Sequence, residues 1–232
     1  MKTVVITGGS GGIGSAIARN FSEKKYRVII GYHRAKEKAE RLACELGGTA
    51  FFVDVTDAES VRMFKEKAGK AEILVNNAGI AAQKLFTDIT EAEWDAMFAV
   101  HVKGAFHMCK AFLPDMICEK RGSIVNVASM WGQVGASCEV HYSAAKAALI
   151  GMTKALAKEV GPSGVRVNCI SPGVIETDMM GSFSEEDKAA LCEETPLCRM
   201  GTPEDVAAAV VFAAEASFIT GQVIAPNGGF VI

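Results

Sequence analysis

Three side chains in the middle of the sequence have the chemistry of a carbonyl-reducing site. Tyr142 and Lys146 are four residues apart in a helix-forming stretch, so both project from one helical face. A neighbouring ammonium favours phenolate over phenol, and we expect Lys146 to lower the pKa of Tyr142 so that it exchanges a proton near neutral pH. Ser129 follows an apolar run, and its hydroxyl could donate a hydrogen bond to the same substrate oxygen. Together these residues suggest hydride transfer between a carbonyl and an alcohol.

A glycine-rich turn near the start of the chain has the pattern of a binding site for the cofactor that hydride transfer requires. The run Lys2–Thr7 predicts a buried strand, and the apolar spacing in Ile13–Tyr26 predicts a helix. Between them, Gly8 permits a tight turn, Gly12 lets a pyrophosphate approach the backbone, and Gly14 lets the helix pack on the strand. The amino terminus of the helix would then face the phosphates.

Short apolar strands alternate with helical segments along the rest of the chain. This alternation favours an α/β fold with a doubly wound parallel sheet in three layers, where a cofactor binds at the carboxyl ends of the strands. A long helix is expected over Tyr142–Val160. The further strands are predicted at residues 28–31, 50–53, 73–76, 124–127, 166–170 and 222–225.

Length and composition favour one domain over residues 1–232. Half of the residues are hydrophobic, and no linker, repeat or bilayer-length apolar span interrupts them. The formal net charge of -3, with acids and bases interspersed, gives no argument for nucleic-acid binding. The seven cysteines lack the paired spacing of a zinc site and are expected to be reduced, so no metal is predicted. We expect a cytoplasmic protein without a membrane segment.

Over essentially its whole length, the sequence resembles the short-chain dehydrogenase/reductase family. Four motifs carry the resemblance in order: the glycine turn at 7–14, the Asn-Asn-Ala-Gly run at 76–79, the Ser129, Tyr142 and Lys146 set, and Pro172-Gly173. The resemblance implies that Tyr142 is the general acid of ketone reduction, that Ser129 orients the carbonyl, and that Lys146 holds the nicotinamide ribose.

The residues after the second predicted strand bear on the choice of cofactor. Relatives that prefer NAD carry an acid there, whereas this chain has Gly-Tyr-His-Arg-Ala-Lys at 31–36. Arg34, with support from His33 or Lys36, would favour the 2′-phosphate of NADPH over NADH, and the alternative is a solvated basic loop. Against NADPH, Gly11 replaces a basic residue that many NADPH-using relatives carry in the turn.

The resemblance also implies where the remainder of the cofactor would lie. Asp54 and Val55 would border the adenine, and the segment 175–177 would meet the nicotinamide carboxamide. Asn76 could either take part or mainly brace neighbouring strands. The expected cofactor-binding set is Thr7, Gly8, Ser10, Gly12, Ile13, Gly14, His33, Arg34, Asp54, Val55, Asn77, Ala78, Gly79, Tyr142, Lys146, Pro172, Gly173, Ile175 and Thr177.

His101 departs from the family pattern. Relatives usually carry an asparagine in this helix, where it helps to hold a water in a proton relay to the lysine. His101 could hold that water through an imidazole nitrogen, which makes it a fourth candidate catalytic residue, or it could be a packed core histidine in a slower enzyme. A protein of another class, a nucleotide sensor with little turnover, is the corresponding alternative function.

Two subfamilies compete for the substrate. The segments 168–179, 218–223 and 227–229 resemble 3-oxoacyl-acyl carrier protein reductases of fatty acid biosynthesis, which implies an NADPH-preferring homotetramer. Lys120-Arg121 could meet an acidic carrier protein or serve solubility, and Ser163 departs from the basic residue frequent in those reductases. The segment 129–140 instead resembles reductases that act on the 5-aminopentanone modification of elongation factor P, where Glu139 could pair with a substrate amine or be an exposed loop acid.

The polar, acidic segment Met179–Arg199 is expected to form a helix-turn-helix lid over the nicotinamide, the alternative being an ordinary surface helix pair. Three residues near the catalytic set, Met130, Trp131 and Cys138, either line the substrate pocket or pack against neighbouring chain.

Overall fold

One seven-stranded parallel sheet forms the centre of the molecule, in the order β3-β2-β1-β4-β5-β6-β7. The computed structural model describes residues 1–177 and 184–232. The strands are β1 (Thr3–Thr7), β2 (Arg27–Tyr32), β3 (Thr49–Phe52), β4 (Ile73–Asn76), β5 (Gly122–Val127), β6 (Val165–Ile170) and β7 (Val223–Ile224). This order, with each neighbouring pair parallel, confirms the predicted doubly wound α/β fold.

Helices cover both faces of the sheet and complete the three layers. On one face lie α1 (Gly12–Glu23), α2 (Lys36–Glu45) and α9 (Pro203–Glu215), and on the other lie α3 (Ala58–Ala68), α5 (Gly104–Cys118) and α7 (Val140–Val160). The shorter helices are α4 (Glu91–Phe98), the single turn α6 (Trp131–Val134) and α8 (Glu185–Glu194). None of the helices in the described ranges has both the length and the apolar character needed to cross a bilayer.

Coverage of both faces explains why the strands appear in the sequence as continuous apolar runs. In β1, Val4 and Ile6 belong to the core cluster shared with α1, α2 and α9. Val5, which points the opposite way, belongs to the cluster shared with α3, α5 and α7. All three side chains are fully buried. A strand of a parallel sheet between two helical layers therefore has no polar face.

The predicted bounds of the strands lie within two residues of the observed ones, and the helices α1 and α7 also differ from their predicted ranges. α1 ends at Glu23 instead of Tyr26, because Lys25 takes a left-handed φ of 64° and the Tyr26 amide donates back to the Phe21 carbonyl. This is the hydrogen-bond pattern of a Schellman cap, which ends a helix at the preceding turn. α7 begins at Val140, two residues before the predicted start.

The expected lid at 179–199 is described only in part. Residues 179–183 lie outside the described residues. Beyond them, Ser184 and Asp187 form a capping box that starts α8, and the Cys198 amide bonds to the Thr195 carbonyl in the turn after this helix.

The strand order changes direction between β1 and β4: β2 and β3 lie on one side of β1, and β4 to β7 lie on the other. β1 pairs with β2 on one side and with β4 on the other, so the loops that leave these two strands diverge. In open parallel sheets a crevice forms at such a switch point, outside the carboxyl ends of the strands. The glycine turn follows β1 and the Asn-Asn-Ala-Gly run begins at the end of β4, so both motifs border this crevice.

Candidate active site

The structure brings Ser129, Tyr142 and Lys146 together beside the carboxyl end of β5. The Ser129 hydroxyl lies close enough to the Tyr142 hydroxyl to lower the pKa of that phenol by hydrogen bonding. The ammonium nitrogen of Lys146 lies 5.4 Å from the centre of the Tyr142 ring. Ser129 and Lys146 are 8% and 5% exposed. Two hydroxyl groups and one ammonium therefore share a largely dehydrated corner of the crevice.

A close approach between α6 and α7 fixes Ser129 relative to the other two residues. The Trp131 amide donates to Ser129 Oγ over 3.2 Å, and the Met130 amide donates to the Pro172 carbonyl over 2.9 Å. A Cβ at Gly132 would lie 2.7 Å from the backbone carbonyl carbon of Lys146, so only glycine fits there. Gly132 was not singled out from the sequence, although a glycine three residues after the candidate serine was a usable signal.

Burial has the largest effect on the pKa values of Tyr142 and Lys146. It raises the pKa of Tyr142 to about 12, with the hydrogen bond to Ser129 lowering that pKa and the charge of Glu139 raising it. Burial also lowers the pKa of Lys146 to about 8. The expected net lowering of the Tyr142 pKa is therefore wrong for this arrangement, because the cost of desolvating a phenolate outweighs the hydrogen bond to Ser129.

His101 lies beside Tyr142 on a feature that the sequence did not reveal. A π-helical turn, Ala99–Lys103, joins α4 to α5 and carries the histidine. The ring of His101 stands edge-on to Tyr142, with centroids 5.5 Å apart. Burial and the charge of Lys146 lower the pKa of His101 to about 3. The imidazole is therefore neutral at physiological pH.

One nitrogen of His101 is already engaged by the backbone. Nε2 lies 2.7 Å from the Ile80 carbonyl oxygen and 3.2 Å from the Ile80 amide nitrogen. A single ring nitrogen cannot donate to the first and accept from the second at once. The shorter distance favours a proton on Nε2 that is donated to the carbonyl. Only Nδ1 then remains to hold a water, as the relay interpretation requires.

The glycine turn after β1 has the form of an anion-binding site. Gly8 has a φ of 62°, in the region that favours glycine. A Cβ at Gly14 would collide with the Gly8 carbonyl oxygen, so this glycine is required by the turn itself as well as by any packing on the strand. α1 starts without a side-chain cap and without an acid in its first turn. Its first amide groups are thus suited to phosphate oxygens.

Asn77 ties the loop after β4 to the glycine turn. Its Nδ2 lies 3.1 Å from the carbonyl oxygens of both Thr7 and Gly8. In return, Thr7 Oγ1 accepts from the amides of Asn77 and Ala78, each over 3.1 Å. The two sides of the crevice therefore share one set of hydrogen bonds.

Asn76 and Gly79, the outer members of the same run, have different contacts. Asn76 Nδ2 donates to Asn126 Oδ1 over 2.8 Å and so joins β4 to β5, which is the bracing role. A Cβ at Gly79 would lie 2.5 Å from His101 Cε1, so the glycine makes room for the imidazole.

The basic residues after β2 lie beside the segment expected to border the adenine. His33 and Arg34 are exposed. His33 Nε2 lies 3.7 Å from Asp54 Oδ2, and its ring centre lies 5.6 Å from that of Phe52. Burial acts to raise the pKa of Asp54, but hydrogen bonds from Thr56 outweigh it and the pKa is lowered. Asp54 is therefore a satisfied carboxylate, and no acid stands at 31–36 to oppose a phosphate.

The segment after β6 reaches the start of α1. A Cβ at Gly12 would lie 3.1 Å from Thr177 Cγ2, which places Thr177 against the glycine turn. Ile175 is bridged to Gly201, and a Cβ at Gly173 would lie 2.7 Å from Asn227 Cα. Of the other expected cofactor residues, Ser10 is buried in the turn, Ile13 of α1 packs on the core cluster of that face, and Val55 packs on the core cluster of the opposite face.

Glu139 precedes α7 and lies near Tyr142. It is partly buried, Gln83 Nε2 donates to its Oε1 over 3.2 Å, and burial raises its pKa. The neighbouring Cys138 carbonyl accepts from the Lys84 amide over 2.7 Å. These bonds tie the loop before α7 to the loop after β4.

Four other residues considered in the sequence have defined positions in the structure. Met130 is buried, and Trp131 stands edge-on to Phe230 with centroids 5.5 Å apart. Lys120-Arg121 immediately precedes β5, at the opposite edge of the sheet from Ser129, and Arg121 pairs with Glu72 over 3.5 Å. The length of β5 separates this pair from Ser129. A contact between Lys120-Arg121 and an acidic carrier protein stays a prediction.

Known proteins match this chain over almost its whole length. The family described as enoyl-(acyl carrier protein) reductase matches residues 8–231. The 3-oxoacyl-[acyl-carrier-protein] reductase FabG of Thermotoga maritima is 40% identical over 242 residues, which cover 100% of this chain and 98% of that protein. FabG of Staphylococcus aureus strain N315 is 38% identical over 98% of this chain and 97% of its own. An uncharacterized oxidoreductase of Bacillus subtilis, YmfI, is 37% identical over 99% of this chain and 98% of its own.

Proposed function

Because this chain belongs to the short-chain dehydrogenase/reductase family and is an oxidoreductase that interconverts a ketone and a secondary alcohol, we propose that it reduces 3-oxoacyl thioesters on acyl carrier protein with NADPH. The observation that carries the proposal is that Ser129, Tyr142 and Lys146 share one buried corner at the edge of the cofactor crevice. Two hydroxyl donors beside one another suit an oxygen that becomes an alkoxide. The full-length relatives named for this reaction support the substrate.

The residues of the crevice fit a dinucleotide with a 2′-phosphate. The uncapped amino terminus of α1 would receive the diphosphate, and the 3.1 Å bonds from Asn77 hold the turn in shape for it. Arg34, assisted by His33, would bind the 2′-phosphate, since neither position carries an acid. Lys146 would hold the nicotinamide ribose from below Tyr142, and Asp54 would border the adenine.

Ser129 and Tyr142 act on the substrate oxygen, Ser129 with a hydrogen bond and Tyr142 with a proton. The bound nicotinamide would supply the hydride to the carbonyl carbon. As charge develops on the substrate oxygen, Ser129 donates a hydrogen bond to it and Tyr142 gives up its proton. A pKa of about 12 keeps the proton on Tyr142 until an alkoxide, which is a stronger base than a phenolate, has formed. Lys146 stabilises the resulting phenolate, and the burial of this corner keeps water from competing.

Oxidation of NADPH in the presence of acetoacetyl-acyl carrier protein tests this proposal. The Tyr142→Phe variant should lose turnover by about 10²- to 10⁴-fold while still binding NADPH. Tyr26→Phe is the matched control, because Tyr26 hydrogen-bonds Glu215 at the surface and should be dispensable for turnover. Turnover that survives in Tyr142→Phe would overturn the mechanism. Tight NADPH binding with no turnover by the wild type would instead favour a nucleotide sensor.

A second substrate is favoured by the position of Glu139. A partly buried carboxylate near Tyr142 suits a substrate that carries a positive charge close to its ketone, such as the 5-aminopentanone modification of elongation factor P. Modified elongation factor P should then be reduced by the wild type and far more slowly by Glu139→Gln. Reduction of acetoacetyl-acyl carrier protein should be little affected by the same change. Glu119→Gln, at the surface after α5, is the control. Equal effects of Glu139→Gln on both substrates would exclude amine recognition.

The assembly is proposed to be a cytoplasmic homotetramer formed through the long helices and the C-terminal segment. Large apolar side chains are exposed in both places: Phe106 and Ile117 on α5, and Phe218 and Ile232 near the C-terminus. Such exposure is typical of surfaces covered by another subunit. Light scattering on the purified protein should give four times the mass of the chain, and a monomeric mass would contradict the proposal.

A further inference from the structure

Two buried polar atoms behind the candidate active site have no hydrogen-bond partner in the part of the chain that the structure describes. They are Asn76 Oδ1 and His101 Nδ1. The two residues are 6% and 2% exposed, so bulk water does not reach them. A buried acceptor without a donor destabilises the folded protein. Two such atoms in one region therefore need a common explanation.

The amide of Asn76 is held in one orientation by a chain of hydrogen bonds. Its Nδ2 donates to Asn126 Oδ1 over 2.8 Å. Asn126 Nδ2 then donates to Thr153 Oγ1, and that hydroxyl donates to the Leu149 carbonyl, each over 2.8 Å. Turning the Asn76 amide would place two oxygens against each other. Asn76 must therefore present Oδ1 as an acceptor.

The imidazole of His101 is held in the same way. Nε2 lies 2.7 Å from the Ile80 carbonyl oxygen and carries the proton of that bond. In a neutral imidazole the second nitrogen is then an acceptor. His101 Nδ1, like Asn76 Oδ1, therefore requires a donor.

A cavity of about 10 Å³ is lined by both side chains. This volume is that of a single water molecule. Besides Asn76 and His101, one other lining residue has a polar side chain, and this residue is Thr7. Its hydroxyl donates a long hydrogen bond of 3.4 Å to the Val75 carbonyl. The remaining lining residues are apolar or glycine, so they offer no donor.

We propose that Asn76 and His101 together bind one buried water molecule. The water donates one hydrogen to Asn76 Oδ1 and the other to His101 Nδ1. It accepts from Thr7 Oγ1, whose hydroxyl hydrogen then turns from the Val75 carbonyl toward the water. Three partners are the usual number for a buried water. A small cation would satisfy the same acceptors, but the ammonium of Lys146 acts on His101 and disfavours a second positive charge there.

This water gives His101 a positioning role that does not depend on the identity of the substrate. It links the end of β4 to the π turn, fixes the proton of His101 on Nε2, and holds the ring edge-on to Tyr142. Both nitrogens of His101 are then engaged, one by Ile80 and one by the buried water. A relay water held by the imidazole is excluded in this arrangement.

A crystal structure at atomic resolution tests the site directly. A solvent peak should lie within hydrogen-bond distance of both Asn76 Oδ1 and His101 Nδ1. The absence of a peak, or a rotated imidazole whose Nδ1 contacts a protein group, would overturn the proposal.

Nitrogen NMR of the protein labelled at histidine provides a second test in solution. In the wild type, Nε2 of His101 should carry the proton and Nδ1 should show the shift of a hydrogen-bonded acceptor. Asn76→Leu removes one partner of the water and should move Nδ1 toward the shift of a free acceptor. Ser123→Ala, at a buried polar residue of β5 that lies outside this hydrogen-bond chain and does not line the cavity, should leave Nδ1 unchanged. A free Nδ1 already in the wild type would contradict the proposal, even if Asn76→Leu does not fold.

Discussion

The ammonium nitrogen of Lys146 donates a hydrogen bond to the carbonyl oxygen of Val127 over 2.9 Å. Val127 is the last residue of β5, so the lysine ties α7 to the strand that leads to Ser129. The bond keeps the charge in a buried place, and burial lowers the pKa of Lys146 to about 8. Lys146 therefore anchors the site as well as supplying charge to it.

Stability should rise with pH in a window set by Lys146. Its pKa is about 8 in the folded protein against an ordinary 10.5, so between these values the unfolded chain binds a proton that the folded protein has lost. The free energy of unfolding then increases by up to about 1.4 kcal/mol per pH unit. Below pH 8 both states are protonated, and the penalty of the buried charge is fully present.

Urea unfolding of the wild type and Lys146→Met measures this effect. Between about pH 7 and about pH 9.5, the wild type should gain about 1–2 kcal/mol relative to the variant. The range stops below pH 10, because the raised pKa of Tyr142 makes stability fall with pH above that value. An identical pH dependence of both proteins would contradict the buried charge.

His101 should remain neutral throughout the physiological range. Its pKa of about 3 results from burial and the charge of Lys146, and protonation would add a second positive charge beside Tyr142. An NMR titration of its Cε1 proton from pH 8 to pH 5 should show no transition, whereas the protein unfolded in urea should titrate near the ordinary value of 6.5. Assignment follows from His101→Asn. A transition of the folded protein near pH 6 would show that the ring is hydrated.

Arg34 should decide the preference for NADPH. Removing a charged partner of a phosphate costs about 1.5–3 kcal/mol, so Arg34→Ala should weaken NADPH binding by about 10- to 100-fold. NADH lacks the 2′-phosphate and should bind as before. Arg41→Ala, an equally exposed arginine on α2, is the matched control. If both variants weaken NADPH equally, the effect is one of overall charge.

Substitution by alanine should have a large effect at Gly14 and a small one at Gly161. A Cβ at Gly14 meets the backbone of the glycine turn, whereas a Cβ at Gly161 meets nothing within 4 Å. Gly14→Ala should therefore abolish NADPH binding or lower the melting temperature strongly. Gly161→Ala should leave binding intact and change stability by less than about 1 kcal/mol. Normal NADPH binding by Gly14→Ala would show that the turn adapts.

The sequence alone predicted the parts of the candidate site that depend on the spacing of nearby residues. Four-residue spacing put Tyr142 and Lys146 on one helical face, and the strand ending before Ser129 put the serine at the carboxyl edge of the sheet. Contacts between distant segments were not predictable in this way. The bond from Lys146 to Val127 and the need for Gly132 depend on how α6 and α7 meet, and the raised pKa of Tyr142 depends on how much chain covers it.

The π turn at Ala99–Lys103 makes α4 and α5 one run of helix with one surplus residue. Deleting one residue there would give a regular helix whose two halves keep nearly the rotation that they have now, because the wide turn already absorbs the extra residue. Met108 and Phe112 would then stay in the core. Inside the turn, the backbone that carries His101 would move, and the imidazole would lose its edge-on position against Tyr142. The number of residues in the π turn therefore sets the position of His101 and leaves the packing of α5 unchanged.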